Sequence, residues 1–573
     1  MLKNLYIFLF TFSSFGLLSI EAELPVIDYQ SIHHPEISTT GMVVSQRMIA
    51  SQVGADILSQ GGNAVDAAVA TGLALAVVLP RAGNIGGGGF MMVYLKDLDK
   101  TIAIDYRERA PAAAHKDLFL DQDGNYDKKK AQFSLLSAGV PGTVAGFYHA
   151  LTKYGTMSWK EVLVPAIELA EKGFSVPHDL ASTLASSRYR TRLSSNPAAA
   201  KSFYKSDKSL YKAGEVLKQK DLAWTLKQLS KHGPEAFYEG SIAKKIVKEM
   251  ELNGGLITAN DLKNYIVSER IPTEGTYKDF KIVSMPPSSS GGVHLIQMLN
   301  MLETYPIKEM GFGSSDTIHI MAEVMKRAYA DRSKYLGDSD FYSVPSGLVK
   351  KGYAKDLNKN ISLDKRTPSE EVFAGDPLPY ESPDTTHFSV MDSFGNAVAN
   401  TYTLNFSYGS GLMIPGTGML INNEMDDFSS KPGTPNGYGL IGSEANAIEG
   451  NKRPLSSMTP TIIFKDNKPY LVFGSPGGSR IITTVLQVAL NVMAHDMNVA
   501  QAVNSPRVHH QWLPEVLMIE DGFGSDTEAL LKQRGYKLYP SSTMGSVQAI
   551  MNENGYFYGA ADPRRPSAGV ASP

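Results

Sequence analysis

The chain has 573 residues, enough for one large enzyme fold with elaborations or for roughly four small domains, so core size sets no limit. Its 55 Lys+Arg against 58 Asp+Glu leave a formal charge of −3, and no segment is basic enough to track phosphates, which disfavours nucleic acid as a partner. A hydrophobic share of 43% excludes wholesale disorder, and the lack of cysteine excludes disulfides, thiolate metal sites and catalytic thiols, so any nucleophile is an oxygen or a nitrogen.

The N-terminus reads Met1, Lys3, an apolar run from Leu5 to Ile20, then Glu21, Ala22, Glu23 and Pro25. A basic start, a short apolar centre and a small residue near the exit predict a secretory signal over 1–22, with export to the periplasm or beyond and no stable anchor after its removal. Ala67 to Pro80 reads as a buried helix closed by proline. Glycines at 83 and 86–89 follow, and Phe90 to Leu95 reads as a core strand. Asp121 to Asn125 resembles part of a calcium loop, but Phe119 holds the place of the first ligand, so an acidic surface turn is expected. Amphipathic helical patterns dominate from Ser158 to Lys326, broken by Gly254-Gly255 and by the turn-rich Met285 to Gly292. Strands are expected to dominate from Thr385 onward.

Pro383 to Met391 alternates, with Thr385, His387 and Ser389 on one face and Thr386, Phe388 and Val390 on the other, the pattern of a half-buried strand. Asp392 to Asn396 offers a tight turn, and Ala397 to Asn405 reads as the return strand. With Gly395 in the left-handed position, Asp392 faces Asn396 and Thr385 falls opposite Thr403. Directly facing Cβ atoms lie about 5 Å apart, so the two hydroxyls can meet, and Asn405 continues the same face. On this segment alone, a threonine-rich surface hairpin explains the pattern equally well. Further on, Gly437-Tyr438-Gly439-Leu440-Ile441-Gly442 matches a dinucleotide fingerprint, but it follows the loop Lys431 to Asn436 where the mechanism needs a strand, so a flexible loop is expected.

The motifs in order are Gly61 to Ala68, Gly86 to Gly89, Asp105-Tyr106-Arg107-Glu108, Met285-Pro286-Pro287, Asp384-Thr385-Thr386-His387, Asn422 to Phe428, Pro454 to Met458 and Gly474 to Arg480. This ordered set resembles the γ-glutamyltranspeptidase family of the N-terminal nucleophile hydrolase superfamily, from about Gly41 to the C-terminus. The resemblance implies an α+β fold, a four-layer αββα sandwich, and a precursor that cuts itself before Thr385. The pieces would be a large subunit, 23–384, and a small catalytic subunit, 385–573, that stay together as one unit. The chemistry explains the cut: a threonine hydroxyl is a poor nucleophile, and a freed α-amine with a pKa of about 7.7 to 8.0 can take its proton.

The resemblance also assigns roles. Thr403 would orient the nucleophile, and Gly477 and Gly478 would supply the N–H groups that stabilise an oxyanion. Arg107, Ser456 and Ser457 would grip the donor's α-carboxylate; Asn405, Glu424 and Asp427 would hold its α-ammonium; Tyr438 would sit in a lid spanning Lys431 to Gly442. Glutathione and other γ-glutamyl compounds are the implied donors, amino acids or peptides the acceptors, with neither cofactor nor metal required. The rival within the superfamily is an acylase with the same nucleophile and another acyl group.

Overall fold

The computed structural model describes residues 31–377 and 387–573. Two seven-stranded antiparallel sheets lie face to face. Across the first, the strands run Gly569–Ala571, Gly41–Ser45, His387–Asp392, Ala397–Thr403, Gly88–Leu95, Lys100–Tyr106 and Ser268–Arg270. Across the second, they run Glu36–Ser38, Tyr556–Ala561, Gln548–Glu553, Lys468–Gly474, Thr461–Lys465, Phe280–Ser284 and Thr273–Tyr277. Each sheet mixes strands from before and after position 385.

Period-two alternation explains the layering, because each strand sends alternate side chains to opposite faces. Met42, Phe90, Met92 and Met391 from the first sheet meet Val283, Ile462, Val472 and Ile550 from the second in the central core. The outer face of the first sheet, with Val43, Met91, Val93, Phe388 and Val398, packs on the helices Met48–Ser59 and Ala64–Val78. The outer face of the second, with Ile282, Ile463, Leu471 and Phe473, packs on Gly291–Leu302, Ser315–Tyr335 and Ile481–Met493. Helix, sheet, sheet and helix make the expected four layers, αββα.

The expected helix over Ala67 to Pro80 is Ala64–Val78, buried along its whole length, and Asn63 caps it by accepting from the Val65 and Asp66 amides. The core strand is Gly88–Leu95. The hairpin has the anticipated register: His387 pairs with Thr401, Met391 with Ala397, and Gly395 adopts φ +93°. One expectation needs correction. The His387–Asp392 strand is buried on both faces, because the second sheet covers the face that carries His387 and Ser389. Helices dominate from Ser158 to Lys326 as expected, with the short strands of 268–284 among them. Strands dominate beyond 387 as expected, with the helices Ile481–Met493, Val499–Asn504 and Ser525–Gln533 between them.

Candidate active site

The end of Ala397–Thr403 is drawn tight against the glycine run. A Cβ on Gly87 would stand 1.9 Å from the Thr403 carbonyl oxygen, so only glycine fits. Asn84 locks this approach, since its Nδ2 donates to the Thr403 carbonyl at 2.8 Å while its Oδ1 accepts from the Gly87 amide and the Thr143 hydroxyl, both at 2.9 Å. The Thr403 hydroxyl accepts from the Asn405 amide at 2.8 Å. Asn405 takes the left-handed φ of +71° and its Nδ2 donates to the Asn423 carbonyl, while its buried Oδ1 has no hydrogen-bond partner among the described residues.

Gly477 and Gly478, at φ +146° and +60°, turn the chain from the strand Lys468–Gly474 into the helix Ile481–Met493. Both values favour glycine, and the turn sits at the positive end of that helix. The ring of Tyr438 lies against Gly478, where a Cβ would come within 2.5 Å of it. The Tyr438 hydroxyl donates to the Asn405 carbonyl at 2.7 Å, and the ring meets Phe406 edge-on at 5.2 Å. Thr403, Asn405, Tyr438, Gly477 and Gly478 thus line one cleft of about 520 Å³. The fingerprint Gly437 to Gly442 is irregular backbone, pinned where the Gly437 amide donates to Asp426 at 3.1 Å.

Arg107, Glu424 and Asp427 form a second group, linked to the first through Asn423, whose carbonyl accepts from Asn405 Nδ2 and which precedes Glu424 in the chain. Arg107 is fully buried; Nη1 pairs with Glu424, Nη2 with Asp427 at 2.7 Å, and Nε donates to the Pro454 carbonyl at 3.3 Å. Glu108 lies 3.6 Å from Arg107 Nη1, and neither of its oxygens accepts a hydrogen bond among the described residues. Ser456 and Ser457 are buried, with hydroxyls that likewise lack partners there. One guanidinium therefore faces three carboxylates. Burial pushes Glu108 up to about 7 and Glu424 well above the ordinary carboxylate range, with mutual repulsion adding to it and Arg107 opposing. Asp427 is raised by burial as well.

Thr385 and Asp384 lie outside the described residues, as does the 1–22 segment. His387, the nearest described residue after Thr385, is not poised as a base. Its Nε2 meets the Ser389 hydroxyl at 2.7 Å, which itself donates to the Gln548 carbonyl, and its Nδ1 meets Thr401. Burial lowers its pKa to about 3. Sequence reasoning missed Asn84, Asp426 and Glu108 as contributors. Asn84 had a signal, standing two residues before the glycine run, but its partners are remote in sequence.

The family profile of gamma-glutamyltranspeptidase matches residues 50–572. The chain belongs to the γ-glutamyltranspeptidase family. It is 52% identical over 545 residues to the glutathione hydrolase proenzyme of Escherichia coli (strain K12), covering 94% of this chain and 93% of that one. Among solved structures, the cephalosporin acylase from Bacillus halodurans superposes with a TM-score of 0.85 at 26% identity, over 96% of this chain and 99% of the other. The Helicobacter pylori gamma-glutamyltranspeptidase superposes at 0.58 with 46% identity, over 59% of this chain and 97% of that one. Family membership and the αββα architecture agree: this is an N-terminal nucleophile hydrolase fold.

Proposed function

We propose that the chain is a γ-glutamyl transferase and glutathione hydrolase that matures by cutting itself before Thr385. In maturation the Thr385 hydroxyl adds to the Asp384 carbonyl, the C–N bond breaks to leave an ester, and water hydrolyses it to a carboxylic acid and a free α-amine. That amine then takes the hydroxyl proton as Thr385 Oγ1 attacks the γ-carbonyl of the donor. The C–N bond of the donor breaks, the proton passes to the departing amine, and water or an acceptor amine resolves the γ-glutamyl ester. Thr403 orients the nucleophile, and Gly477 and Gly478 hold the oxyanion.

The observation that carries the reading is the set of three buried carboxyls that share Arg107. Burial raises the pKa of each, so they hold protons until a cation arrives, and an α-ammonium would let them ionise, while the unpartnered Ser456 and Ser457 hydroxyls suit an α-carboxylate. An acylase for simple acyl groups has no use for such a cation pocket. The discriminating pair is γ-glutamyl anilide and glutaryl anilide, which differ only by the α-ammonium. Release of aniline from the first at 100-fold or greater kcat/KM supports the proposal; equal or better turnover of the second assigns the chain to the acylases.

The large subunit would be 23–384 and the small one 385–573; the proenzyme name of the E. coli relative supports processing of a precursor, and the bounds rest on the motif around Thr385. Export to the periplasm or medium is part of the proposal, resting on the 1–22 pattern. No helix among the described residues is long and apolar enough to cross a membrane.

A further inference from the structure

The cleft that holds Thr403 and Gly478 is also lined by Arg81, Lys128, Arg188 and Arg565, and no aspartate or glutamate lines it. None of these four cations forms an ion pair among the described residues, although the chain as a whole carries a net charge of −3. Arg81 donates from Nη2 to Gln46 at 3.4 Å and Arg565 from Nη1 to the Arg564 carbonyl at 3.1 Å, while the buried Nε of each has no partner among the described residues. The acids nearest to them are already engaged. Asp179 is taken by Arg47 at 2.8 Å and by the Ser567 hydroxyl, and Asp562 by Arg507 at 2.7 Å and by Arg564. Burial and repulsion from Arg565 and Arg47 push the Arg81 pKa down to about 10, so these charges strain against one another. Clustered cations without counter-ions, next to the residues assigned to the reacting bond, attract an anion.

Arg107, Ser456 and Ser457 do not line this cleft and, on the reading above, take the carboxylate of the γ-glutamyl side. The cations in the open cleft remain for the other side of the amide. We propose that Arg81 and Arg565, with Lys128 and Arg188 at the rim, form a carboxylate subsite for the amine partner. It would receive the carboxylate of the departing amine in the donor and of the incoming amino acid or peptide in transfer. Planar guanidinium forks suit a carboxylate, and the two exposed rim cations steer it inward. The proposal rests on the γ-glutamyl reading and adds the substrate class on the amine side.

The test uses the self-cleaved protein with two donors that differ by one charge, γ-glutamyl anilide and γ-glutamyl-4-aminobenzoate. For each protein, the ratio of kcat/KM on the charged donor to that on the neutral one cancels the fraction of active enzyme, so partial misfolding does not obscure the answer. The ratio should fall at least tenfold in Arg81→Gln and in Arg565→Gln, and further in Arg81→Glu. Raising salt from 0.05 to 0.5 M should lower the ratio in the parent and leave it nearly level in Arg81→Glu. Ratios unchanged in all three variants, with turnover of γ-glutamyl anilide retained, overturn the subsite and leave the γ-glutamyl reading standing. Slowed self-cleavage with an unchanged ratio also overturns it, and gives the cations to the chain's own acidic segment around Glu381 and Asp384. Absence of turnover on both donors by the parent would strike the γ-glutamyl reading itself.

Discussion

Arg107 Nη2 and Asp427 Oδ2 lie 2.7 Å apart in a site where neither side chain is more than 3% exposed. With Glu424 on Nη1, both prongs of the guanidinium are occupied by carboxylates, so the groups proposed to hold the ammonium and the carboxylate of the donor are held to each other. Lysine at this position keeps the charge and loses the planar fork. A charge-assisted bond is worth roughly 1.5 to 3 kcal/mol, so Arg107→Lys should lose about tenfold to more than a hundredfold in kcat/KM on γ-glutamyl donors. Steady-state kinetics against glutaryl anilide gives the control. A similar loss there assigns Arg107 to the terminal carboxylate alone, and a larger loss on the γ-glutamyl donor shows that it also organises the ammonium pocket.

Glu108 contributes a pH signature. Burial raises its folded-state pKa to about 7 from an ordinary value of 4.5. A carboxyl with a raised folded pKa carries no penalty below pH 4.5, where it is protonated in both states, and a growing penalty as pH climbs toward 7, where folding must ionise a buried group. At 1.36 kcal/mol per unit the penalty above pH 7 is on the order of 3 kcal/mol as an upper bound. Glu108→Gln should therefore unfold at a higher temperature than the parent at pH 8, with the gap shrinking toward pH 5. Thermal melts of both proteins at the two pH values decide it, and a gap that widens on acidification contradicts this account.

The hairpin and its register were legible because alternation and one Asp-to-Asn turn are local signals, and the glycine run was legible because close backbone approach demands it. The resemblance carried the αββα layers; composition and periodicity alone reached only alternating helix and strand. Neither source revealed how Arg107 is occupied. Its partners lie 317 and 320 residues away, and nothing in a linear pattern says that three carboxylates share one guanidinium. The same holds for Arg81 and Arg565, which stand near opposite ends of the chain and meet only because the strands of the first sheet interleave both halves. The two-sided burial of His387–Asp392 was missed for a related reason: polar His387 and Ser389 read as solvent-facing, whereas hydrogen bonds across the sheets satisfy them.

Maturation tests the nucleophile directly. Thr385→Ala removes the attacking hydroxyl and should give a single uncut band on a denaturing gel and no turnover, while Thr385→Ser should retain partial cutting. Mature enzyme with its α-amine blocked should be inactive despite an intact hydroxyl, because the buried, hydrogen-bonded His387 offers no alternative base. Two fragments of normal size from the alanine variant would remove Thr385 from its role.

The Tyr438 side chain meets the strand end through its hydroxyl and through its ring, and the two contributions can be separated. Tyr438→Phe deletes the 2.7 Å bond to the Asn405 carbonyl and keeps the ring against Gly478 and edge-on to Phe406. A neutral hydrogen bond contributes about 0.5–1.5 kcal/mol, so kcat/KM should fall by about twofold to tenfold. Tyr438→Ala removes the ring as well and opens the cleft above Gly478, while the loop stays tied by the Gly437 amide on Asp426, by Gln511 Nε2 on the Tyr438 and Gly439 carbonyls and by Lys431 Nζ on the Gly124 carbonyl. Its loss should be larger and fall on KM, the outcome expected of a ring that covers the donor and takes no part in the chemistry. Hydrolysis should rise relative to transfer, since water reaches the ester more easily once the cover is gone. Measuring glutamate against γ-glutamyl dipeptide at fixed acceptor separates the cases. If Tyr438→Ala leaves that product ratio at the parent's value while lowering kcat, the ring acts on the oxyanion turn at Gly478 and is not a cover.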